Sequence, residues 1–238
     1  MIDLFFATSP NVYKVSIALE EMELPHRLVP VDLSQGQHHD PAKLGGGVTG
    51  KVPVIVDHSP ADGQGPYTVV ESGAILQYLG EKTGRFLPST MRQRSDVMQW
   101  LFWQVGGIGP IGGQTWHFRM FAPKIAPHFD NSYAMSRYDT MFAKLWRTMD
   151  DRLADRAYLC GDYSIADMAT FPWVAYLEPQ DGIDAYPNVR RWRDAIAARP
   201  AVRAAYAKGE AIDTGYERNE KGVSLFPWEG LMQHVIAT

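Results

Sequence analysis

Short apolar runs and helical stripes alternate along the first third of the chain, and helical stripes alone occupy the remainder. Residues 2–6 are a compact apolar run of the kind found in a buried strand. Ser9 can cap a helix and Pro10 suits its first turn. Val12, Val15, Leu19 and Met22 then recur at helical spacing through residues 11–22. A second strand is predicted over 28–33. A strand, a helix and a strand in sequence predict a parallel pair. Residues 34–50 are rich in Gly, Gln and His and predict a loop with at most a short helix. Strands are predicted next at 52–57 and 68–70, joined by a polar hairpin loop at 60–66. The next helix, 73–83, turns Ile75, Leu76 and Leu79 inward.

Residues 84–91 lack periodicity and contain Pro88, so they read as a linker between domains. Beyond this linker the pattern is helical. A helix over 93–105 is expected to stop at Gly106-Gly107-Ile108-Gly109-Pro110. Tyr138, Phe142, Leu145 and Met149 stripe a helix of about 131–155. Ser164 and Asp167 have the spacing of a capping box. Val189, Trp192 and Ile196 stripe another helix, ended by Arg199-Pro200. Residues 209–238 form a tail whose Phe226, Trp228 and Leu231 are too apolar for a purely disordered segment. Strands first and helices later predict an α/β domain over 1–84, an all-α domain over 92–208, and the tail.

Composition narrows the function classes. The chain has 238 residues, of which 45% are apolar, enough to bury a core. A net charge of −4 with scattered Lys and Arg offers no nucleic-acid face and no anionic-lipid patch. No apolar run reaches the ~18 residues of a spanning helix. Met1-Ile2-Asp3 lacks the basic region and apolar stretch of a secretion signal. The single cysteine, Cys160, cannot form an internal disulfide, which favours a reducing compartment. The expectation is a cytoplasmic protein.

The segment Lys51-Val52-Pro53-Val54-Ile55-Val56-Asp57, with Val69-Val70-Glu71-Ser72-Gly73 after it, is the most informative. Pro53 has no N–H and belongs at the start of a strand. With a cis bond before it, Val52 would turn its N–H and C=O outward to an extended peptide. Glu71 and Ser72 stand where a helix begins, among unpaired N–H groups and a positive dipole end. Such a site suits a small peptide carrying both a carboxylate and an amine.

This arrangement resembles the thioredoxin-like N-terminal domain of glutathione transferases, and the resemblance covers roughly residues 1–208. Within the family the chain is most similar to the bacterial Nu-class branch, the glutathione-dependent disulfide-bond oxidoreductases. The matching residues are Met1-Ile2-Asp3-Leu4, Pro10-Asn11, the run Ile55 to Gly63, Glu71 to Leu76, Gln99-Trp100-Leu101-Phe102-Trp103-Gln104-Val105-Gly106-Gly107, and Tyr163-Ser164-Ile165-Ala166-Asp167. The runs His58 to Gly63 and Gln99 to Gly107 carry the branch assignment.

The resemblance implies glutathione as the bound thiol and assigns residues to it. Asn11, and Ser9 where the branch has threonine, would contact the thiolate, which hydroxyl or amide donors and a helix N-terminus stabilise. The plainer reading of Ser9 is a helix cap. Val52 would bond the peptide backbone. Ser72 would take the γ-glutamyl carboxylate and Glu71 the ammonium, although an acid and a hydroxyl at a helix start are also ordinary caps. Lys51 could neutralise the glycyl carboxylate. Gly47-Val48-Thr49-Gly50 replaces the Asn-Pro usual in the family. His38 occupies the register of a glutamine that touches glutathione, with Gln37 one residue early; His38 and His39 lack chelating spacing. Arg137 matches an arginine that reaches glutathione across a homodimer. Trp100, Phe102, Trp103, Trp116, His117 and Phe118 read mainly as core and dimer interface, with some lining a cleft for the second substrate. Cys160 reads as a small buried residue rather than a nucleophile.

The implied activity is reduction of small disulfides, with no protein cysteine taking part. Conjugation or thioether cleavage on aromatic electrophiles is the rival chemistry. A non-catalytic binding or regulatory protein of the same fold is the rival class.

Overall fold

A computed structural model describes residues 1–212, so the tail expected over 209–238 lies, beyond Ile212, outside the described residues. The elements run β1 (Ile2–Phe6), α1 (Pro10–Glu21), β2 (His26–Pro30), β3 (Val54–Asp57), β4 (Tyr67–Val70) and α2 (Ser72–Thr83). Next come α3 (Met91–Trp103), α4 (Gly109–Trp116), α5 (Ala122–Ile125), α6 (Ser132–Leu153), α7 (Ile165–Tyr176), α8 (Pro187–Ala197) and α9 (Pro200–Glu210). Two compact units result: Met1–Thr83 joined by the segment from Pro200, and Gly84–Arg199.

In the first unit the sheet order is β2-β1-β3-β4. β1 runs parallel to β2 and antiparallel to β3, and β3 is antiparallel to β4. β1 is central and buried throughout, which explains its continuous apolar run. Alternation divides its side chains between the two faces. Phe5 joins Val54, Val56, Val31 and Leu44 in one cluster, with Val52 packed against it. Phe6 meets Tyr13 of α1 edge to face, with ring centroids 5.6 Å apart. Lys82 and the Tyr78 hydroxyl, both on α2, each reach Asp57 Oδ2 at 2.7 Å and tie β3 to that helix.

The helical domain expected over 92–208 ends earlier, because α9 belongs to the first unit. Pro200 stops α8 and, having no N–H to lose, opens a new helix. Tyr206 of α9 stacks on Tyr13 with centroids 4.2 Å apart, and Lys208 pairs with Glu20. Gly209 lets the helices close together: a Cβ there would lie 2.6 Å from the Tyr13 hydroxyl and 2.7 Å from Phe6.

In the second unit, the helix predicted to stop at Gly106–Pro110 does not stop. α3 passes through a π-turn at 104–108, in which the Gly109 N–H donates to the Gln104 carbonyl, and continues as α4. Gly109 and Gly112 serve close packing rather than chain reversal, and a Cβ on Gly109 would lie 3.2 Å from the Gln104 side-chain amide. A Cβ on Gly112 would come within 3.1 Å of both Phe142 and Trp173. α6 matches its predicted span, but its buried stripe is Phe142, Trp146, Met149 and Leu153, with Tyr138 and Leu145 half-buried. α7 is buried almost all round, as a helix apolar on every face must be. Ser164 and Asp167 form the predicted capping box. No helix among the described residues is long and apolar enough to cross a membrane.

Candidate functional site

The start of α1, the turn at Pro53 and the head of α2 all belong to the first unit. Ser9 is extended (φ −155°, ψ 153°), and its Oγ accepts from the Val12 N–H at 3.3 Å. Ser9 is therefore a cap, and its hydroxyl also stands at a helix N-terminus. Asn11 lies half-buried in the first turn beside it. The Val52–Pro53 bond is cis, with Val52 half-buried and Lys51 exposed.

Glu71 caps α2 in the left-handed region, with φ 68°. A non-glycine residue there costs about 1 kcal/mol or more, so local structure does not favour glutamate at this position. Its carbonyl accepts from the Ile75 N–H at 2.9 Å, and its side chain is exposed. Ser72 is buried beside it. Behind Ser72 stands Lys14 of α1, only 1% exposed, whose Nζ donates to the Ser72 Oγ at 3.3 Å. Burial pulls the Lys14 ammonium down to about 7, against the opposing charge of Glu71.

Sequence reasoning missed Lys14. The signal was available, since Lys14 is the only charged residue between Asp3 and Glu20. A lysine on a buried helix surface requires an acceptor.

Gln37, His38 and His39 form a single 3₁₀ turn. Gln37 Oε1 accepts from the Asp32 N–H at 3.0 Å and holds the loop together. The two imidazoles lie against each other, 3.9 Å between centroids. The glycines where the chain departs from the family pattern support close packing. A Cβ on Gly47 would lie 2.7 Å from Val54, and Gly50 adopts φ 64° near His39. The loop descends onto β3, and at Gly47 backbone takes the place of a side chain.

Arg137 is exposed on α6 of the second unit. Cys160, expected to be a small buried residue, is half-buried in that unit. Desolvation, with Asp167 and Asp96 nearby, pushes its thiol up to about 12, so at neutral pH it is a thiol and not a thiolate. The aromatics expected mainly in the core and the dimer interface are not fully buried in the single chain. Trp100, Trp103, Trp116, His117 and Phe118 are half-buried, and Phe102 is 63% exposed. Several of them pack on other rings: Trp116 meets Tyr176 and Phe121, while Phe118 stacks on Tyr138.

The family models for the glutathione S-transferase N-terminal and C-terminal domains match residues 8–82 and 132–195. The disulfide-bond oxidoreductase YfcG of Escherichia coli is 46% identical over 215 residues, spanning 90% of this chain and 98% of its own. A glutathione transferase from Burkholderia graminis, solved with two glutathione molecules bound per subunit, is 38% identical, with a TM-score of 0.79 over 86% of each chain. One from Pseudomonas putida, solved with one glutathione disulfide bound per subunit, is 35% identical, with a TM-score of 0.77 over 86% of this chain and 90% of that one.

Proposed function

Because the chain belongs to the glutathione S-transferase family, we propose that it binds glutathione in its first unit and uses it to reduce small disulfides. The observation that carries this reading is the head of α2. An exposed carboxylate held at φ 68° stands beside a buried hydroxyl backed by a buried ammonium. That donor and acceptor set fits a ligand end bearing both an ammonium and a carboxylate.

Glutathione is the substrate that supplies the thiols. One glutathione sulfur bonds to a disulfide sulfur and the other half leaves as a thiol. A second glutathione releases the mixed disulfide, giving oxidised glutathione and two reduced thiols in total. The chain's own residues bind and orient. Glu71 takes the ammonium and Ser72 the γ-glutamyl carboxylate. Val52 bonds the backbone of the tripeptide, and Lys51, Gln37 and His38 surround its glycyl end. Asn11 and Ser9, at the mouth of α1, donate to the sulfur and favour its ionised form. The β1–α1 loop, Ala7-Thr8-Ser9-Pro10-Asn11, contains no cysteine, and Cys160 is held as a thiol.

Cys160→Ala should therefore keep full disulfide reductase turnover with glutathione. Asn11→Ala should lose the equivalent of roughly 1.5–3 kcal/mol, about ten- to a hundredfold in rate. Turnover on a model disulfide, with folding checked by circular dichroism, decides the matter. A folded but inactive Cys160→Ala overturns the cysteine-independent mechanism. Running a model aryl halide beside the disulfide tests a second reading, conjugation, which the half-buried aromatics of the second unit favour.

The reading extends to a cytoplasmic homodimer in which Arg137 of a second copy reaches glutathione. Met91, 87% exposed, and Phe102 give α3 an apolar surface that a second copy would cover. Light scattering at micromolar concentration should give twice the chain mass. A fully active monomer would contradict both the dimer and the role of Arg137.

A further inference from the structure

We infer that Lys14 is a positioning residue for glutathione: its ammonium fixes the direction of the Ser72 hydroxyl, so that the hydroxyl donates outward to the γ-glutamyl carboxylate. This rests on the proposed reading of the site and adds to it a proton that binds with the ligand.

Hydrogen-bond polarity sets that direction. A charged lysine has three donors and no acceptor, whereas a serine hydroxyl has one donor and can also accept. Lys14 Nζ lies 3.3 Å from Ser72 Oγ, and both residues are buried. While Lys14 is charged, Ser72 must accept from it, so its single hydrogen turns to another acceptor. A carboxylate at the head of α2 is such an acceptor, and the helix dipole favours it there. Once Lys14 loses its proton, its amine has a lone pair and can accept from Ser72. The hydroxyl then turns inward and presents its oxygen to the incoming carboxylate, where lone pairs face each other.

The protonation state is poised. Burial has brought the Lys14 ammonium down to about 7 in the free protein. A carboxylate arriving on the far side of Ser72 adds negative charge near the ammonium and raises its proton affinity. Binding should then take up a proton, and affinity should fall as pH rises through about 7.

The elements packed against α1 offer few other charges to confuse this. Glu71 at the head of α2 acts on Lys14 and favours its charged form. From α9, Tyr206 meets Tyr13 and Lys208 meets Glu20. From β1, Asp3 is paired with Arg27 and His58. His26, which meets Glu20 of α1 at 3.1 Å, and His38 and His39, on the loop before β3, are the histidines that need a control.

The test is calorimetric titration of the full chain with S-methylglutathione, which has no thiol to ionise, between pH 6 and 8.5. Two buffers of different ionisation enthalpy count the protons taken up. The wild type should take up a substantial fraction of a proton near pH 7. Its affinity should drop about tenfold for each unit by which the ligand raises the lysine's proton affinity. Lys14→Met should bind more weakly at pH 6, with affinity flat in pH, while Lys14→Arg, if folded by circular dichroism, should bind at pH 8 as it does at pH 6. In a Ser72→Ala background, Lys14→Met should change affinity little further. A wild type that binds without proton uptake overturns this inference alone. So does pH dependence that survives Lys14→Met, which would point to the histidines, or an undiminished Lys14→Met effect without the Ser72 hydroxyl. No binding by the wild type at any pH overturns the reading of the site itself.

Discussion

Asp167→Ala should cost the second unit about 3–5 kcal/mol, because it leaves several buried donors unpaired at roughly 1–3 kcal/mol each before the structure relaxes. Asp167 is wholly buried and serves four donors: the Leu159 N–H at 2.9 Å, the Ser164 N–H at 3.0 Å, the Ser164 hydroxyl at 3.1 Å and the Trp192 indole N–H at 2.8 Å. One side chain thus caps α7, fixes the turn that enters it and anchors α8. Alanine leaves those donors facing each other without water. Asparagine should cost less, because its carbonyl oxygen still serves Leu159 and Trp192 while its amide opposes the Ser164 donors. The pH dependence has a definite sign. Burial pushes the Asp167 carboxyl up to about 6, although its hydrogen bonds oppose the shift. The folded state therefore holds this proton more tightly than the unfolded one. Its contribution is fully present below about pH 4 and is lost as pH rises through about 6. Denaturant unfolding followed by circular dichroism at pH 4, 5, 6 and 7 should show that decline in the parent and not in Asp167→Asn. A loss below 1 kcal/mol in Asp167→Ala would show that the network does not hold the unit together.

Much of the fold was legible because local rules and tertiary packing agree at most positions. Ser9-Pro10 both announced and formed a helix start. Ser164 and Asp167 did the same for α7. The parallel β1–β2 pair was implied by an intervening helix, and the glycine loop after β2 gave only short 3₁₀ turns. Legibility failed where packing overrode a local rule. Gly106, Gly107, Gly109 and Pro110 have the composition of a chain break, yet the helix runs through them. Close approach at Gly112 needs the absence of side chains, and the π-turn bonds the Gly109 N–H to a carbonyl five residues back. Pro200 read as a terminator, although proline is equally suited to beginning a helix. What α9 does depends on Tyr13 and Phe6, almost two hundred residues away, and spacing carries no such information.

The site divides in the same way. Glu71, Ser72 and Val52 were legible as candidates because a Val-Pro turn and a helix start are local signals, and the structure forms both. Lys14 lies fifty-eight residues from the serine it supports and has no motif of its own. Its one mark in the sequence is chemical: a charge where the neighbouring residues are apolar or uncharged. A charge on a buried helix face is therefore the mark that sets Lys14 apart.

Glu71→Ala should reduce glutathione binding by about 2–5 kcal/mol, the range for removing one partner of a desolvated charge pair. At about 1.4 kcal/mol per tenfold, that is a loss of roughly thirty- to several-thousandfold in affinity. Two effects act together. The ligand ammonium loses its counter-charge, and Lys14 loses the carboxylate that favours its charged form. Ser72 is then left without a firm inward donor, so both charged groups at the γ-glutamyl end lose support. The backbone provides the control. Glu71 sits at φ 68°, where glycine is at ease and other residues are strained. Glu71→Gly should relax that strain and raise stability by roughly 0.5–1 kcal/mol if the relief outweighs the added freedom of the unfolded chain. A more stable protein that no longer binds is the signature of a residue kept for its ligand. Thermal melts beside calorimetric titrations of both variants measure the two quantities separately. Near-normal affinity in either variant would show that the carboxylate at position 71 takes no part in binding. If Glu71→Gly is less stable and binding falls only in proportion, the lost affinity belongs to the fold and not to the charge pair.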